Sequence, residues 1–168
     1  MSGVIDHFNV NLKIDSLLLN TLDLEAGSAA ILQAIAGSLT NGTATGNASQ
    51  QWSDTRTLTA SATEDLDFAG GVTNAFGVVL TFVKIKFVFV RASSANTNDV
   101  QVTRKATTGI PLFMADGDGI ALTPGEWFAY FSPTLGKTVT ATTDDTLTFT
   151  NSAGSTSVIY DIVIVGTD

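Results

Sequence analysis

Cysteine is absent from this 168-residue chain. Its absence removes disulfide frameworks, zinc–thiolate sites and thiol nucleophiles, and leaves the redox compartment unreadable. Charge is scarce as well: Asp, Glu, Lys and Arg together make up 14% of the residues, against about 25% in ordinary soluble domains. Thr, Ala, Gly, Ser and Asn stand where Lys and Glu usually do. That composition suits a β protein whose surface is partly covered by other protein, and suits a helical one poorly. Basic residues number only 8 against 16 acidic ones, for a net charge of −8. They are scattered without forming a polybasic patch, which argues against nucleic-acid binding through phosphates and against anionic lipid. No apolar run approaches the ~18–20 residues that span a bilayer, and the longest carries Lys84 and Lys86. The opening MSGVIDHFNVN lacks a basic segment followed by an apolar one, so no secretory signal is expected and synthesis in the cytosol of the translating cell is.

What the chain has instead is alternation. In VVLTFVKIKFVFVR, Val78 to Arg91, residues Thr81, Val83, Ile85, Phe87 and Phe89 fall on one side at period two. Leu80, Phe82, Lys84, Lys86, Val88 and Val90 fall on the other. β-Branched and aromatic residues dominate and neither Gly nor Pro interrupts, as a half-buried pleated surface prefers. A helix would scatter Val79, Phe82, Ile85 and Phe89 around its circumference, so the strand reading prevails. At roughly 3.3 Å per residue the run would be about 45 Å long, which requires a bend or bulge partway. It is expected to be the central strand of a sheet.

Phe8 to Ile14, FNVNLKI, alternates in the same way and reads as a strand. Asp15 to Leu39 is ambiguous. Ser28 is positioned to cap a short helix over Ala29 to Ala36, with Gly37 ending it, while Leu22-Asp23-Leu24 alternates as a strand; both readings stay open. Thr40 to Gln51 is a polar loop whose glycosylation-like triplets at Asn41 and Asn47 are chance without a secretory signal. Short alternating segments then recur at Thr57 to Ala62 and Asp65 to Phe68, with a turn at Gly70-Gly71, and again at Val100 to Val102. Further ones are Ile110 to Ala115 with Pro111 favouring an edge, Ile120 to Leu122, Glu126 to Phe131, Val139 to Ala141 and Leu147 to Phe149. The closing Ser157 to Val165 is apolar on both faces apart from Asp161, and should be buried. Roughly eight to ten short strands spaced by turn signals predict an all-β fold: a jelly-roll-like antiparallel β-sandwich over 41–168, carrying an N-terminal arm or oligomerisation segment over 1–40. At 17.5 kDa such a chain buries about 69% of its unfolded surface without staples.

No set of residues assembles an active site. His7, the sole histidine, begins a strand and reads as a surface or hydrogen-bonded side chain. No G-x-S-x-G elbow accompanies it, and Gly109, Gly117 and Gly119 lack the strand-to-helix setting of a phosphate-binding loop. Glu25, Glu64, Asp65, Asp67 and Glu126 are the acidic candidates for a glycosidase-like pair, but no spacing singles two of them out. Asp116-Gly117-Asp118-Gly119 is the best cation candidate. Its EF-hand register fails at the third ligand, and the twelfth position falls on Trp127 beside Glu126. A hairpin turn explains the motif better, as it does Asp144-Asp145. Trp52, Trp127, Phe128, Tyr130 and Phe131 are candidates for a sugar-binding platform. Trp127, Ala129 and Phe131 share one strand face and Phe128 and Tyr130 the other, so at least one face belongs to the core. No catalytic residue, metal ligand or cofactor is expected.

The segments SDTRTLTASATEDLDFAGG, FGVVLTFVKIKFVFVRASSANTNDV, LTPGEWF, VTATTDDTLTFTNSAGST and SVIYDIVIVGTD together resemble small all-β structural proteins of tailed bacteriophages. Three motifs carry the resemblance: S-D-T-R-T-L, the A-N-T-N-D-V loop after the long strand, and the T-S-V-x-Y-D-I-V-I-x-G finish. It spans about three quarters of the chain, from Asn41 on. Before Asn41 the chain departs from that pattern, as it does at Lys84, Lys86, Phe87 and Phe89, where smaller residues are expected. The resemblance implies a capsid decoration or cement protein on the virion surface, made in the host cytoplasm. Its partners would be the major capsid protein and copies of itself, as a homotrimer, with no nucleic acid, membrane or small-molecule substrate. The alternative is a head-fibre or tail adsorption protein that holds host-surface glycan.

Overall fold

A computed structural model describes residues 4–21 and 26–168. Strands follow one another as β1 (His7–Thr21), β2 (Ala26–Asn41), β3 (Asn47–Ala48), β4 (Gln50–Leu58), β5 (Thr63–Asp67), β6 (Ala69–Thr73), β7 (Val79–Thr81), β8 (Lys84–Ala92), β9 (Val100–Thr103), β10 (Gly119–Leu122), β11 (Trp127–Phe131), β12 (Lys137–Thr138), β13 (Thr146–Asn151) and β14 (Val158–Thr167). Among the described residues there is no helix. The fold is all-β, and its body is a sandwich of antiparallel sheets. One sheet runs β11-β8-β14-β4 with β12 also on β8; the other runs β10-β9-β13-β5. A β6-β7 pair adjoins them.

Period-two alternation places the core. Val88, Val90 and Ala92 of β8 and Val158, Tyr160, Ile162 and Ile164 of β14 point to the same side, facing Val100 and Val102 of β9 and Leu147 and Phe149 of β13; all are buried. Phe149 stacks on Tyr160 across the sheets, with centroids 4.6 Å apart and planes 5° from parallel. Phe68 extends the layer edge-to-face onto Trp52 and Phe82. Such pairs contribute about 0.5–1.5 kcal/mol beyond the area they bury.

The run from Val78 to Arg91 is central, as its pattern predicts, but it is two strands. β7 pairs with β6, and β8 lies between β11 and β14. The chain leaves one sheet at Phe82-Val83, where Phe82 N–H donates to Phe68 O and Val83 N–H to Thr167 O. A second irregularity follows at once. Val165 pairs with Phe87 whereas Gly166 pairs with Ile85, so Lys86 is the extra residue of a bulge. The bulge changes the expected sides: Ile85 joins the core with Val88 and Val90, while Phe87 and Phe89 take the outer face.

One open reading is decided and one expectation is corrected. Ala29 to Ala36 is strand, not helix, because β2 pairs with β1 in an unbroken register from His7↔Thr40 to Thr21↔Ala26. A long partner strand that needs its hydrogen bonds satisfied outweighs the modest helix propensity of Ala, Leu and Gln. Gly37 serves close approach instead of ending a helix, since a Cβ there would lie 2.1 Å from Phe131 Cε1. Ile110 to Ala115 is loop, not strand. Pro111 lacks an N–H, Leu112 N–H turns back onto Ile110 O, and only Ile110 enters the core. The alternation at Leu22-Asp23-Leu24 lies outside the described residues.

β1 and β2 form a ribbon of 15 and 16 residues, about 50 Å long at ~3.4 Å per residue. Its base packs on the outer face of the β11-β8-β14 sheet. Ile5, Leu39 and Ala48 gather with Phe87 and Val165, and Phe8, Val10, Phe89, Phe131 and Val163 pack around them. The rest of the ribbon projects from the body. Phe149→Ala, which empties the centre of the sandwich, is expected to cost ~3–5 kcal/mol of unfolding free energy. Ile14→Ser, on the projecting ribbon, should change it by less than ~0.5 kcal/mol, and urea titration of the two variants checks both.

Candidate interaction surface

The ionisable residues singled out in the sequence are committed to local structure. Glu64 on β5 accepts from Arg56 Nε at 2.8 Å and from Tyr160 Oη at 2.8 Å, and its second contact with Arg56, at Nη2, is 2.5 Å. Asp54 takes Arg56 Nη1 at 2.9 Å. This cluster ties β4 of one sheet to β5 of the other and so closes one side of the sandwich. The bond to Glu64 holds the guanidinium firmly charged, and burial together with that carboxylate raises the Tyr160 phenol well above its ordinary value. Asp65 accepts from Lys105 and Thr148. Burial would raise its pKa, but those two partners outweigh it and hold the carboxyl low. Asp67 accepts from Ala69 N–H and Glu126 from Thr123 N–H. The four described acidic candidates, Glu64, Asp65, Asp67 and Glu126, are each bound locally and do not converge, and Glu25 lies outside the described residues.

The Asp116-Gly-Asp-Gly motif is a turn. Asp118 accepts from Ala115 N–H at 2.8 Å, Gly117 has φ +82°, and Asp116 pairs with Arg104 at 3.2 Å. Asp145 is buried and accepts from Thr142 N–H and from Thr146 Oγ1. Among the described residues no three Asp, Glu or His side chains converge as a metal site would require. His7 is exposed, beside Asp6 at the ribbon's start.

The aromatic candidates divide by face. Trp52 is core; Phe128 and Tyr130 pack against the core from β11. Trp127 and Phe131 face outward, and Trp127 is 56% exposed. Trp127 lies 6.2 Å from Phe89 on the same outer face, and Ile159 of β14 is also exposed there. The Arg91–Asp161 ion pair, 2.7 Å, sits between them and leaves the patch electrically neutral. Hydrogen bonds from Thr55 and then Arg91 keep the Asp161 carboxyl below its ordinary value.

Sequence reasoning expected an arm or oligomerisation segment over 1–40 but not its form, a projecting two-stranded ribbon that is the larger exposed surface. The register places Phe8, Val10, Leu12, Ile14 and Leu18 on one face with Ala29, Ile31, Gln33, Ile35, Gly37 and Leu39. Leu17, Leu19, Ala30, Leu32, Ala34 and Ala36 share the other. From Leu12 outward the large apolar side chains of both faces are 41–70% exposed. Lys13 pairs with Asp15 at 2.8 Å, so the described charges there cancel. An exposed apolar surface of this extent marks an interaction site.

Lys86, the bulge residue, anchors the ribbon. It is 1% exposed, and its Nζ donates to Thr134 O at 2.9 Å and Ala44 O at 3.3 Å. Gly46 N–H donates to Pro133 O beside it. The ammonium thus joins the loop after β2 to the loop after β11, with no carboxylate of the described residues in contact. Burial, and secondarily Lys84, lowers its pKa from 10.5. The bulge gives no warning in sequence, where Lys86 merely alternates with Phe87.

Comparison with protein-family models, with curated proteins and with solved structures finds no match to this chain.

Because Lys86 releases its proton more readily in the folded state, the unfolded chain binds more protons between that lowered value and 10.5. Stability should therefore rise as pH rises through this window. Lys86→Met should flatten that rise, with chemical denaturation of both proteins from pH 7 upward as the measurement.

Proposed function

We propose that the protein is a structural component of a tailed-bacteriophage virion, decorating the capsid and cementing it by binding assembled major capsid protein. The observation that carries this reading is the long ribbon, apolar on both faces and anchored at its base to a closed sandwich. Such an element has no use in an isolated domain and a clear one where neighbouring surfaces are to be bridged. The strand order also supports it. With β4, β5, β8, β9, β10, β11, β13 and β14 taken in sequence as eight strands, the sheets read 1-8-3-6 and 2-7-4-5. That order favours a jelly roll, an architecture used in viral capsid and lectin domains. The resemblance carried by S-D-T-R-T-L, A-N-T-N-D-V and the closing strand points the same way. We read the protein as non-enzymatic, homo-oligomeric and trimeric, located on the capsid surface and made in the host cytoplasm. The described acidic candidates Glu64, Asp65, Asp67 and Glu126 serve in turns and in bonds between strands.

Cementing works by mass action. A ligand that binds only the assembled lattice stabilises it by about 4 kcal/mol per site at a thousandfold excess over Kd. Particles stripped of the protein are expected to rupture at lower temperature and pressure, with resistance restored on adding it back; unchanged resistance after stripping overturns the cementing role.

A second reading, a head-fibre or tail adsorption protein, is favoured by the exposed Trp127 beside Phe89, since aromatic platforms stack on sugar rings. It predicts glycan-array binding that is lost in Trp127→Ala.

A further inference from the structure

The direction in which the ribbon leaves the body decides what can cover it. At its base Ile5 and Leu39 lie with Val165 of β14, Phe8 lies 4.9 Å from Phe87 of β8, and Gly37 meets Phe131 of β11. The ribbon therefore runs across the strands from β14 toward β11, the edge of that sheet. Leu12 and Ile35, the next pair on the same face, are already exposed. Beyond β11 the chain's own sheet has ended. The face that seats on Phe87 and Phe131 continues outward with the same chemistry, as Leu12, Ile14, Leu18, Ile31 and Ile35, and with nothing of its own body beneath it.

The body holds a matching surface that its own ribbon leaves open. On the outer face, past the covered row of Phe131, Phe87 and Val165, the next positions along β11, β8 and β14 are Ala129, Phe89 and Val163, followed by Trp127, Arg91 and Asp161, then Ile159. Phe89 and Val163 are half-buried at the margin of the chain's own ribbon base, whereas Trp127 and Ile159 beyond them are exposed. The open surface continues the one on which the ribbon base already sits, with the same mixture of aromatic and β-branched side chains. The seating face carries no charged residue between Phe8 and Leu18 or between Ala29 and Leu39, since Lys13 and Asp15 pair on the opposite ribbon face, and the sheet surface is neutral through Arg91–Asp161. In a molecule of net charge −8 these are places where two copies can meet without like-charge repulsion.

We propose that the projecting part of the ribbon seats on the outer sheet face of a second copy of this chain, laying Leu12, Ile14, Leu18, Ile31 and Ile35 across Phe89, Trp127, Val163 and Ile159. The contact is heterologous: each copy gives a ribbon and receives one. This deepens the reading above by naming the faces through which copies join. It is tested on the purified protein with no shell present, so the contact between copies and the cementing of the shell can fail independently.

The experiment is a measurement of mass in solution, by light scattering or mass photometry, on the full chain and its variants, with circular dichroism and thermal melts confirming that each is folded. The wild type is expected to be oligomeric at micromolar concentration. Ile14→Ser/Ile35→Ser on the seating face and Trp127→Glu on the receiving face should each give folded monomers, whereas Leu17→Ser/Leu32→Ser on the opposite ribbon face should leave the oligomer intact. An equimolar mixture of the Ile14→Ser/Ile35→Ser and Trp127→Glu proteins should recover a dimer, because one retains its sheet face and the other its ribbon. A monomeric wild type overturns the proposal, as does an oligomer that survives Trp127→Glu, which would mean that ribbons pair with one another. Recovery of no dimer from two folded monomers overturns it too, and so does a monomeric wild type that instead co-floats with zwitterionic vesicles, the result expected of a membrane-seeking ribbon.

Discussion

The seating of Phe8, Val10 and Leu39 on Phe87, Phe131 and Val165 is the contact on which the rest of the molecule depends. A two-stranded ribbon is marginal by itself in water. Packed on a sheet at one end, it acquires a fixed direction and becomes a third layer outside the sandwich. The contact also explains two local departures from regular structure. Gly37 is the residue that lets β2 approach the Phe131 ring, and the Lys86 bulge turns Phe87 and Phe89 outward to meet the ribbon. Without that bulge, Phe87 would share the side of Ile85 and lie in the core.

Lys86 itself occupies a position that most sheets would fill with an apolar residue. Burying an ammonium without a carboxylate is costly, and carbonyl partners offset only part of that cost. What the arrangement supplies is definition. Two loops from different parts of the chain, one at Ala44 and one at Thr134, converge on a single donor and fix the ribbon's root. A buried polar group retained for geometry instead of stability is a recognised use of such residues. The asparagines of the A-N-T-N-D-V motif work comparably at another loop cluster. Asn96 bonds both the N–H and the C=O of Ile159, and Asn98 reaches Asn151 and Thr156 O. Asn151 in turn donates to Thr59 O and Thr156 O.

The body was largely legible in the residue pattern because its strands are buried on one side and alternate accordingly. Val100 to Val102 and Leu147 to Phe149 announce themselves in this way; Phe8 to Ile14 alternates too, although it belongs to the ribbon and only its base is covered. β2 did not. Its residues are apolar on both faces and drawn from Ala, Leu, Ile and Gln, so neither period is enforced, and its strand state is imposed by β1 across the ladder. The length of the run called for a bend or bulge, but the position of the break at Phe82-Val83 was hidden, since no Gly or Pro marks it and the partners that end β7 and start β8 come from distant segments. The candidate surface was half legible. The split of Trp127 and Phe131 from Phe128 and Tyr130 follows from parity alone. Which of those faces stays open depends on where the ribbon lies, and no local pattern encodes that.

A ribbon with two apolar faces and a free edge along β1 is the type of element that proteins ordinarily blunt with charge, proline or bulges, because it invites pairing with other chains. Within Leu12 to Leu19 the only charges are Lys13 and Asp15, and they neutralise each other. The contact proposed between copies would cover this unguarded surface. Occupation by a different patch of an identical molecule has a further consequence. Heterologous contacts continue until they close, so an open chain of copies always leaves one ribbon and one sheet face bare at its ends. A ring removes both. Under the proposed contact, the apolar area that would otherwise stay wet at the ends would favour closure, and the angle at which the ribbon crosses β11 would set how many copies a ring contains.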